Sequence, residues 1–327
     1  MTSPGEFELI QRHVLKSLSG ERDGYDRFAC ANAGVELGPG DDGALLVPTP
    51  GHRLVVSTDT SNVDVHFPAD APAHAIGHRA LAVNLSDLAA MGATPRWFTL
   101  ALTLPEADTA WVDAFAEGLH ALAHRQGIVL VGGDITRGPL SIAITVMGEV
   151  PIGQALVRHG GADGDHLLLT GPLGGANAGL KAWQRGERDC KTSALAAYLY
   201  PVPRTRLGER LRTCASTAID LSDGLWADLS HVCRASGLGA ELSVPDSAYA
   251  PSLASLDANE RSQAFWHGGD DYELLVSVAP ARLGEAHQAA AALGHELIYI
   301  GKLSARTNAI DGGPDNPGGW RHFGETS

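Results

Sequence analysis

The sequence predicts an α+β protein of two similar-sized units. Three observations carry that expectation. The chain has 327 residues, about two domains at roughly 150 residues each. Strand-like and helix-like apolar segments follow one another in both halves, as layered α and β elements require. Hydrophobic residues make up 44% and charged residues 19%, a globular and not a disordered balance.

The elements follow in order. Phe7, Ile10, Val14 and Leu18 recur at helical spacing and predict a short helix in the first 20 residues. A Gly/Asp loop, Gly38 to Gly43, precedes a strand from Arg53 to Ser57 that runs into Thr58-Asp59-Thr60. Ala73 to Met91 reads as a helix closed by Gly92. It is apolar nearly all round, so it should be buried. The strand Trp97 to Leu104 leads to a helix opened by Asp108 as N-cap and closed by Gly127. The strand Ile128 to Val131 is expected to stop at Gly132-Gly133-Asp134, and the strand Leu140 to Val150 ends at Pro151. A boundary is expected here, giving domains 1–150 and 151–327.

The second half continues in the same style. A strand His166 to Thr170 enters the loop Gly171-Pro172-Leu173-Gly174-Gly175. A short apolar segment, Thr217 to Ile219, meets Asp220-Leu221-Ser222-Asp223-Gly224 and a helix to about Ser236. Strands near Ala240 to Val244 and Tyr272 to Val278, a helix Ala281 to Leu293 and a strand Leu297 to Ile300 complete the layout.

Charge narrows the function. The net charge is −14 and only four of the 24 basic residues are lysines. A nucleic-acid binder would need a basic face to displace counterions, so that class is excluded. No lysine follows the glycine spacing of a Walker A loop, which excludes a P-loop enzyme. No apolar run reaches the ~18 residues of a membrane span, and Met1 to Gly20 lacks a signal-peptide core, so a cytoplasmic chain is expected. Cys30, Cys190, Cys214 and Cys233 form no C-x-x-C pair and read as thiols.

Five Asp-bearing segments stand out: Asp41-Asp42, Ser57-Thr58-Asp59, Asp87, Asp134 and Asp220-Leu221-Ser222-Asp223. Taken singly, several have plain readings. Asp41-Asp42 suits a turn, Asp59 and Asp134 suit loop starts or caps, and Asp220 and Asp223 complement a helix dipole. Asp87 does not, because it lies in mid-helix, where a carboxylate is costly unless paired or metal-bound. Aspartate and hydroxyl oxygens are hard ligands suited to Mg²⁺, which keeps several waters and substrate phosphates in its sphere. Divalent ions between carboxylates and phosphates would let so acidic a chain bind ATP.

These residues carry a resemblance. Gly40-Asp41-Asp42-Gly43-Ala44-Leu45, Ser57-Thr58-Asp59-Thr60 with Val65-His66-Phe67, and the run Ala82 to Ala93 resemble the thiamine-monophosphate kinase family. Gly132-Gly133-Asp134, Ile219 to Leu225 and Asp271-Tyr272-Glu273-Leu274 continue the match in the same order, from Gly5-Glu6-Phe7 to Trp320-Arg321-His322-Phe323. The resemblance implies an aminoimidazole-ribonucleotide-synthetase-like fold: an N-terminal ATP- and Mg-binding domain that pairs with its twin in a homodimer, and a C-terminal α+β domain that completes the active site. It implies ATP-dependent phosphorylation of thiamine monophosphate to thiamine diphosphate, with several Mg²⁺ ions and no general base. It assigns Asp42, Ser57, Thr58, Asp59, Asp87, Asp134, Asp220 and Asp223 to metal. Gly133, Asp134, Arg158 and Ser222 fall to ATP, and His66, Asp270 and Trp320 to thiamine phosphate.

The match has departures. Asp270 stands where the family usually has glutamate, and Ser61-Asn62-Val63-Asp64 replaces a more apolar stretch. Where the family can place an aromatic near the adenine, the chain reads His124-Arg125-Gln126, and no stacking residue is assigned. Gly174 and Gly175 suit an ordinary turn. Other superfamily members remain as alternatives, aminoimidazole-ribonucleotide synthetase foremost. Selenophosphate synthetase would want a reactive cysteine with a nearby lysine, and a hydrogenase-maturation protein a C-terminal cysteine. A Mg²⁺-nucleotide-binding regulator without turnover is the alternative from another class.

Overall fold

The computed structural model describes residues 9–15, 33–307 and 309–314. Phe7, Leu18, Cys30 and Trp320 lie outside the described residues; of the first predicted helix, Ile10–Val14 forms a π-helical turn. The chain divides into two compact units, Met1–Leu88 with Thr94–Ile152, and Ala89–Ala93 with Gly153–Ser327.

In the first unit, β1 (Val35–Leu37) and β2 (Leu45–Leu46) form a small ribbon. The main sheet has four strands: β3 (His52–Asn62), β4 (Thr94–Leu104), β5 (Val129–Arg137) and β6 (Ser141–Pro151), in the order β3-β6-β4-β5. β6 is antiparallel to both β3 and β4, whereas β4 and β5 are parallel. A parallel pair needs a crossover, which the second of two long helices supplies, α1 (Ala73–Ala90) and α2 (Thr109–Gln126). The ends of α2 are those the sequence predicts: the Asp108 carboxylate accepts from the amides of Ala110 and Trp111, and Gly127 turns the chain at φ 67. The two helices touch backbone to backbone. A Cβ on Gly77 would lie 2.0 Å from the Phe115 carbonyl oxygen, and one on Gly118 1.9 Å from that of His74.

Alternation along the strands separates two faces. Phe98, Leu100 and Leu102 of β4 and Ile142, Ile144 and Val146 of β6 are buried. On β3, Leu54, Val56, Thr58 and Thr60 point the other way and are exposed, Val56 to 59%.

Several strands run further than the sequence suggests: the one expected from Trp97 begins at Thr94, and the one expected to end at Ile300 reaches Ser304. β3 continues through Ser57-Thr58-Asp59-Thr60 to Asn62, because each of its residues finds a register partner on β6. β5 does not stop at Gly132-Gly133-Asp134 but carries that segment through to Arg137, paired with Thr99 to Leu104. One extra residue, Val131, makes a bulge between the pairs Phe98–Leu130 and Thr99–Gly132. Glycine is required at 133, where a Cβ would lie 2.0 Å from the Leu100 carbonyl oxygen. Gly133 is a condition for pairing, not its end.

The second unit holds a six-stranded sheet, β12-β9-β11-β7-β10-β8, antiparallel except for β12 beside β9. Its strands are β7 (His166–Leu169), β8 (Thr217–Asp220), β9 (Gly239–Leu242), β10 (Leu274–Val278), β11 (Ile298–Ser304) and β12 (Ile310–Asp311). Both faces are covered, which explains why β10 reads as an unbroken run with no alternation. Leu167, Leu169 and Leu275 pack into one core with Leu225, Leu229 and Val232. Leu168, Leu274 and Val276 pack into another with Leu207, Leu211 and Ala286. The helices are α3 (Gly175–Gln184), α4 (Ser193–Leu199), α5 (Thr205–Leu211), α6 (Leu225–Ser236), α7 (Ala258–His267) and α8 (Leu283–Ala291). Among the described residues, no helix is long and apolar enough to cross a membrane.

Candidate functional site

The first unit builds its acidic residues on an edge strand and the helix beside it. β3 is the outer strand of the sheet, so its outward amides need partners from elsewhere. Asn84 on α1 supplies one: its Oδ1 accepts the Asp59 amide at 3.0 Å, while its Nδ2 donates to the Ala80 carbonyl at 2.9 Å. One turn on, Asp87 Oδ2 accepts from Ser57 Oγ at 2.5 Å. Ser57, Asp59 and Asp87 are all half-buried. Asn84 and Asp87, on one stripe of α1, thus hold Asp59 and Ser57. Thr58 points to the exposed face, its hydroxyl 2.8 Å from that of Thr145.

The other sequence-derived positions of this unit are Asp42, Gly133, Asp134 and His66. Asp42 is exposed in a turn, its amide donating to Asp41 Oδ1 at 2.9 Å. Asp134 is exposed on β5, beside exposed Gly133. β5 and β3 are opposite edges of the sheet, three strand spacings or about 14 Å apart. His66 sits in a tight loop after β3, where its Nδ1 accepts the Asn62 amide at 3.0 Å and its own amide donates to the Asn62 carbonyl at 2.9 Å. Accepting there places the ring proton of neutral His66 on Nε2.

In the second unit, Asp220 ends β8 and is buried, and Ser222 and Asp223 follow in the half-buried turn into α6. A residue that the sequence reading missed controls this turn. Asp228, 3% exposed, lies on the buried face of α6. Its Oδ2 accepts the Asp223 amide at 3.1 Å. Burial, then the neighbouring Asp220 and Asp223, push its carboxyl up to about 8, against the amides of Asp223 and Ser222. The signal was available: Asp228 interrupts the apolar stripe Leu225–Leu229–Val232, as Asp87 interrupts that of α1. Arg158 is exposed. It lies in the surroundings of His231, whose pKa is lowered by burial first, then by Arg158 and Arg234, with Asp223 opposing. Arg158 and Asp223 therefore share one neighbourhood.

The Asp270 segment is joined to the same turn. The Asp270 amide donates to the Ser222 carbonyl at 2.9 Å and the Tyr272 amide to that of Leu221 at 3.0 Å. Asp271 caps α3, with Oδ2 accepting the Gly174 amide at 2.6 Å and Oδ1 that of Ala176 at 3.1 Å. The Gly-rich turn is thus filled by a carboxylate of the protein itself. Glu273, also missed, is buried and held by Arg204, at 2.8 Å from Nε and 2.5 Å from Nη2, and by Thr170 Oγ1 at 2.7 Å.

Ser57, Asp59 and Asp87 are brought together in one unit, and Asp220, Ser222, Asp223, Arg158 and Asp270 in the other. Among the described residues, no group of three or more His, Cys, Asp or Glu side chains is arranged to hold a metal ion. Mg²⁺ does not demand such a cage, since phosphates and waters supply most of its ligands. Trp320 lies outside the described residues.

Comparison with known proteins completes the picture. The model of the AIR synthase related protein N-terminal domain matches residues 40–150, and that of the C-terminal domain residues 162–311. The chain is 43% identical over 314 residues to thiamine-monophosphate kinase of Salmonella typhimurium, covering 94% of this chain and 93% of the relative. The crystal structure of thiamine-monophosphate kinase from Stenotrophomonas maltophilia matches with a TM-score of 0.83 at 41% identity, covering 95% of this chain and 98% of that one. AaThiL complexed with AMPPCP and TMP matches with a TM-score of 0.75 at 26% identity, covering 85% and 89%. With relatives this similar over nearly its whole length, and with its Asp-bearing segments held as described, the chain belongs to the thiamine-monophosphate kinase family.

Proposed function

We propose that this chain transfers the γ-phosphoryl group of ATP directly to the phosphate of thiamine monophosphate, giving thiamine diphosphate and ADP. The observation that carries this is the 43% identity to a thiamine-monophosphate kinase across 94% of the chain. A relative solved with an ATP analogue and TMP supports it.

The acceptor oxygen is a phosphate oxygen, already anionic near neutral pH, so the reaction needs no general base. The task left to the protein is to hold two polyanions in line. In this reading Asp42, Ser57, Thr58, Asp59, Asp87, Asp134, Asp220 and Asp223 are metal ligands. The donor set fits Mg²⁺: every atom is a hard oxygen, and the repulsion felt by Asp228 from Asp220 and Asp223 is of the kind a cation relieves. Bound Mg²⁺ would neutralise phosphate charge and orient the transferring group. Asn84 and Asp228 hold the ligand-bearing strand and turn in place through backbone amides. Gly133, Arg158 and Ser222 contact ATP, Arg158 as a guanidinium facing phosphate. His66, with Nε2–H as donor, Asp270 and Trp320 contact the acceptor.

A homodimer is part of the proposal. Its support is the face of the first unit's sheet that carries exposed Leu54 and Val56, an apolar strip of the kind a second copy covers. A cytoplasmic location is proposed too, consistent with the free thiols Cys190, Cys214 and Cys233.

One assay tests the reaction. Purified protein with ATP, Mg²⁺ and a panel of phosphate acceptors should form thiamine diphosphate and ADP from thiamine monophosphate, identified by product mass. ADP release with a different acceptor, or nucleotide binding without turnover, would overturn it.

A further inference from the structure

Two residues of the Asp270–Tyr272 segment share an uncommon backbone. Asp270 has φ 72 and Tyr272 φ 50, a left-handed region that bulky L residues rarely enter. Such conformations persist only where the surroundings over-determine them, and they cluster at ligand clamps. Here the constraints are visible. Asp271, between the two, is fastened to the amides of Gly174 and Ala176. The amides on either side of it are fastened to Ser222 and Leu221. Glu273, next along, is gripped by Arg204 and Thr170. This bracing accompanies a side-chain contact: the Tyr272 hydroxyl donates to Asp270 Oδ1 at 3.0 Å.

We propose that Tyr272 is a positioning residue for the phosphate acceptor, its hydroxyl holding the Asp270 carboxylate in the orientation that receives the cationic thiamine moiety. The proposal rests on the reading of Asp270 as an acceptor contact. A carboxylate fixed before binding loses no rotamer freedom when the ligand arrives, so the gain appears as affinity. Thiamine carries a fixed positive charge on its thiazolium ring, the chemistry a preset carboxylate recognises. Phosphoryl transfer at saturating acceptor does not use this contact, so the rate of the bound complex should not change.

Tyr272→Phe removes the hydroxyl and keeps the ring. The expected result is a KM for thiamine monophosphate raised about tenfold, with kcat and the KM for ATP within about twofold of the parent. Asp270→Asn should raise the acceptor KM at least as much, and adding Tyr272→Phe to it should change little further, since the two act through one contact. If Asp270→Asn leaves the acceptor KM unchanged, the reading of Asp270 itself is wrong. If Asp270→Asn raises it and Tyr272→Phe does not, the positioning role alone is overturned. A Tyr272→Phe variant with both KM values raised and a lowered melting temperature would show a structural tyrosine and would also overturn the proposal.

Discussion

The two units hold their acidic residues in opposite ways. In the first, Ser57, Asp59 and Asp87 are half-buried; Asp87 accepts from the Ser57 hydroxyl, and Asn84 accepts the Asp59 amide. In the second, Asp228 is buried beside Asp220 and Asp223, and its carboxyl is pushed up to about 8. That carboxyl favours its protonated form, through burial first and the neighbouring aspartates second. An aspartate beside apolar helix positions is thus a hydroxyl acceptor at one place and a charge-sensitive carboxyl at the other.

The largest effect should come from Asp87→Asn. The amide oxygen can still accept from Ser57, so the fold should hold. Turnover should fall by about a hundredfold or more, about 2.7 kcal/mol in the transition state. Steady-state rates across Mg²⁺ concentrations, with a melting curve as control, check it; near-normal turnover at limiting Mg²⁺ would remove Asp87 from the metal ligands.

The next test addresses Asp228. Its folded pKa lies above the unfolded value of 3.8, at about 8, so the protonated form favours the fold. That contribution is full below about pH 4 and is lost as pH rises through about 8, with a slope of up to about 1.4 kcal/mol per pH unit. Metal-free protein should melt lower at pH 8 than at pH 5. Asp228→Asn should flatten that slope, and Mg²⁺ should raise the melting temperature of the parent at pH 8 more than that of the variant. Equal slopes in parent and variant would sink this account of Asp228.

Smaller effects separate the scaffolds. Asn84→Ala leaves the Asp59 amide without its acceptor, which should cost about 1–3 kcal/mol by denaturant titration. Asp271→Ala uncaps α3 and should cost about 1 kcal/mol. A neutral result for Asn84→Ala would show that water, not Asn84, satisfies the strand edge.

Much of this was legible in the residues. Asp108 and Gly127 bound a helix because capping is local chemistry, settled within four residues. Asp87 stood out because burial and charge conflict wherever a helix is apolar all round. What misled was equally specific. Gly132-Gly133-Asp134 reads as a stop, yet it is the middle of a strand, because the decisive fact is the Leu100 carbonyl of a neighbouring strand. Helix α3, with Gly175 and Gly179, hides for the same reason: Gly179 packs against the Ala194 carbonyl of α4, a contact no local propensity reveals.

The sequence alone determined the α+β layout, the acidic segments, the family resemblance and the absence of a P-loop, because composition, periodicity and motif order are properties of the chain. Tertiary structure alone decided which aspartates share a neighbourhood. It also decided that Asp271 fills the Gly-rich turn, that Asp228 is driven toward its neutral form, and that Tyr272 meets Asp270. The physical reason is distance. Hydrogen bonding and charge repulsion act over a few ångströms, and residues 97 apart in sequence, Gly174 and Asp271, come within 2.6 Å only once the sheet has formed.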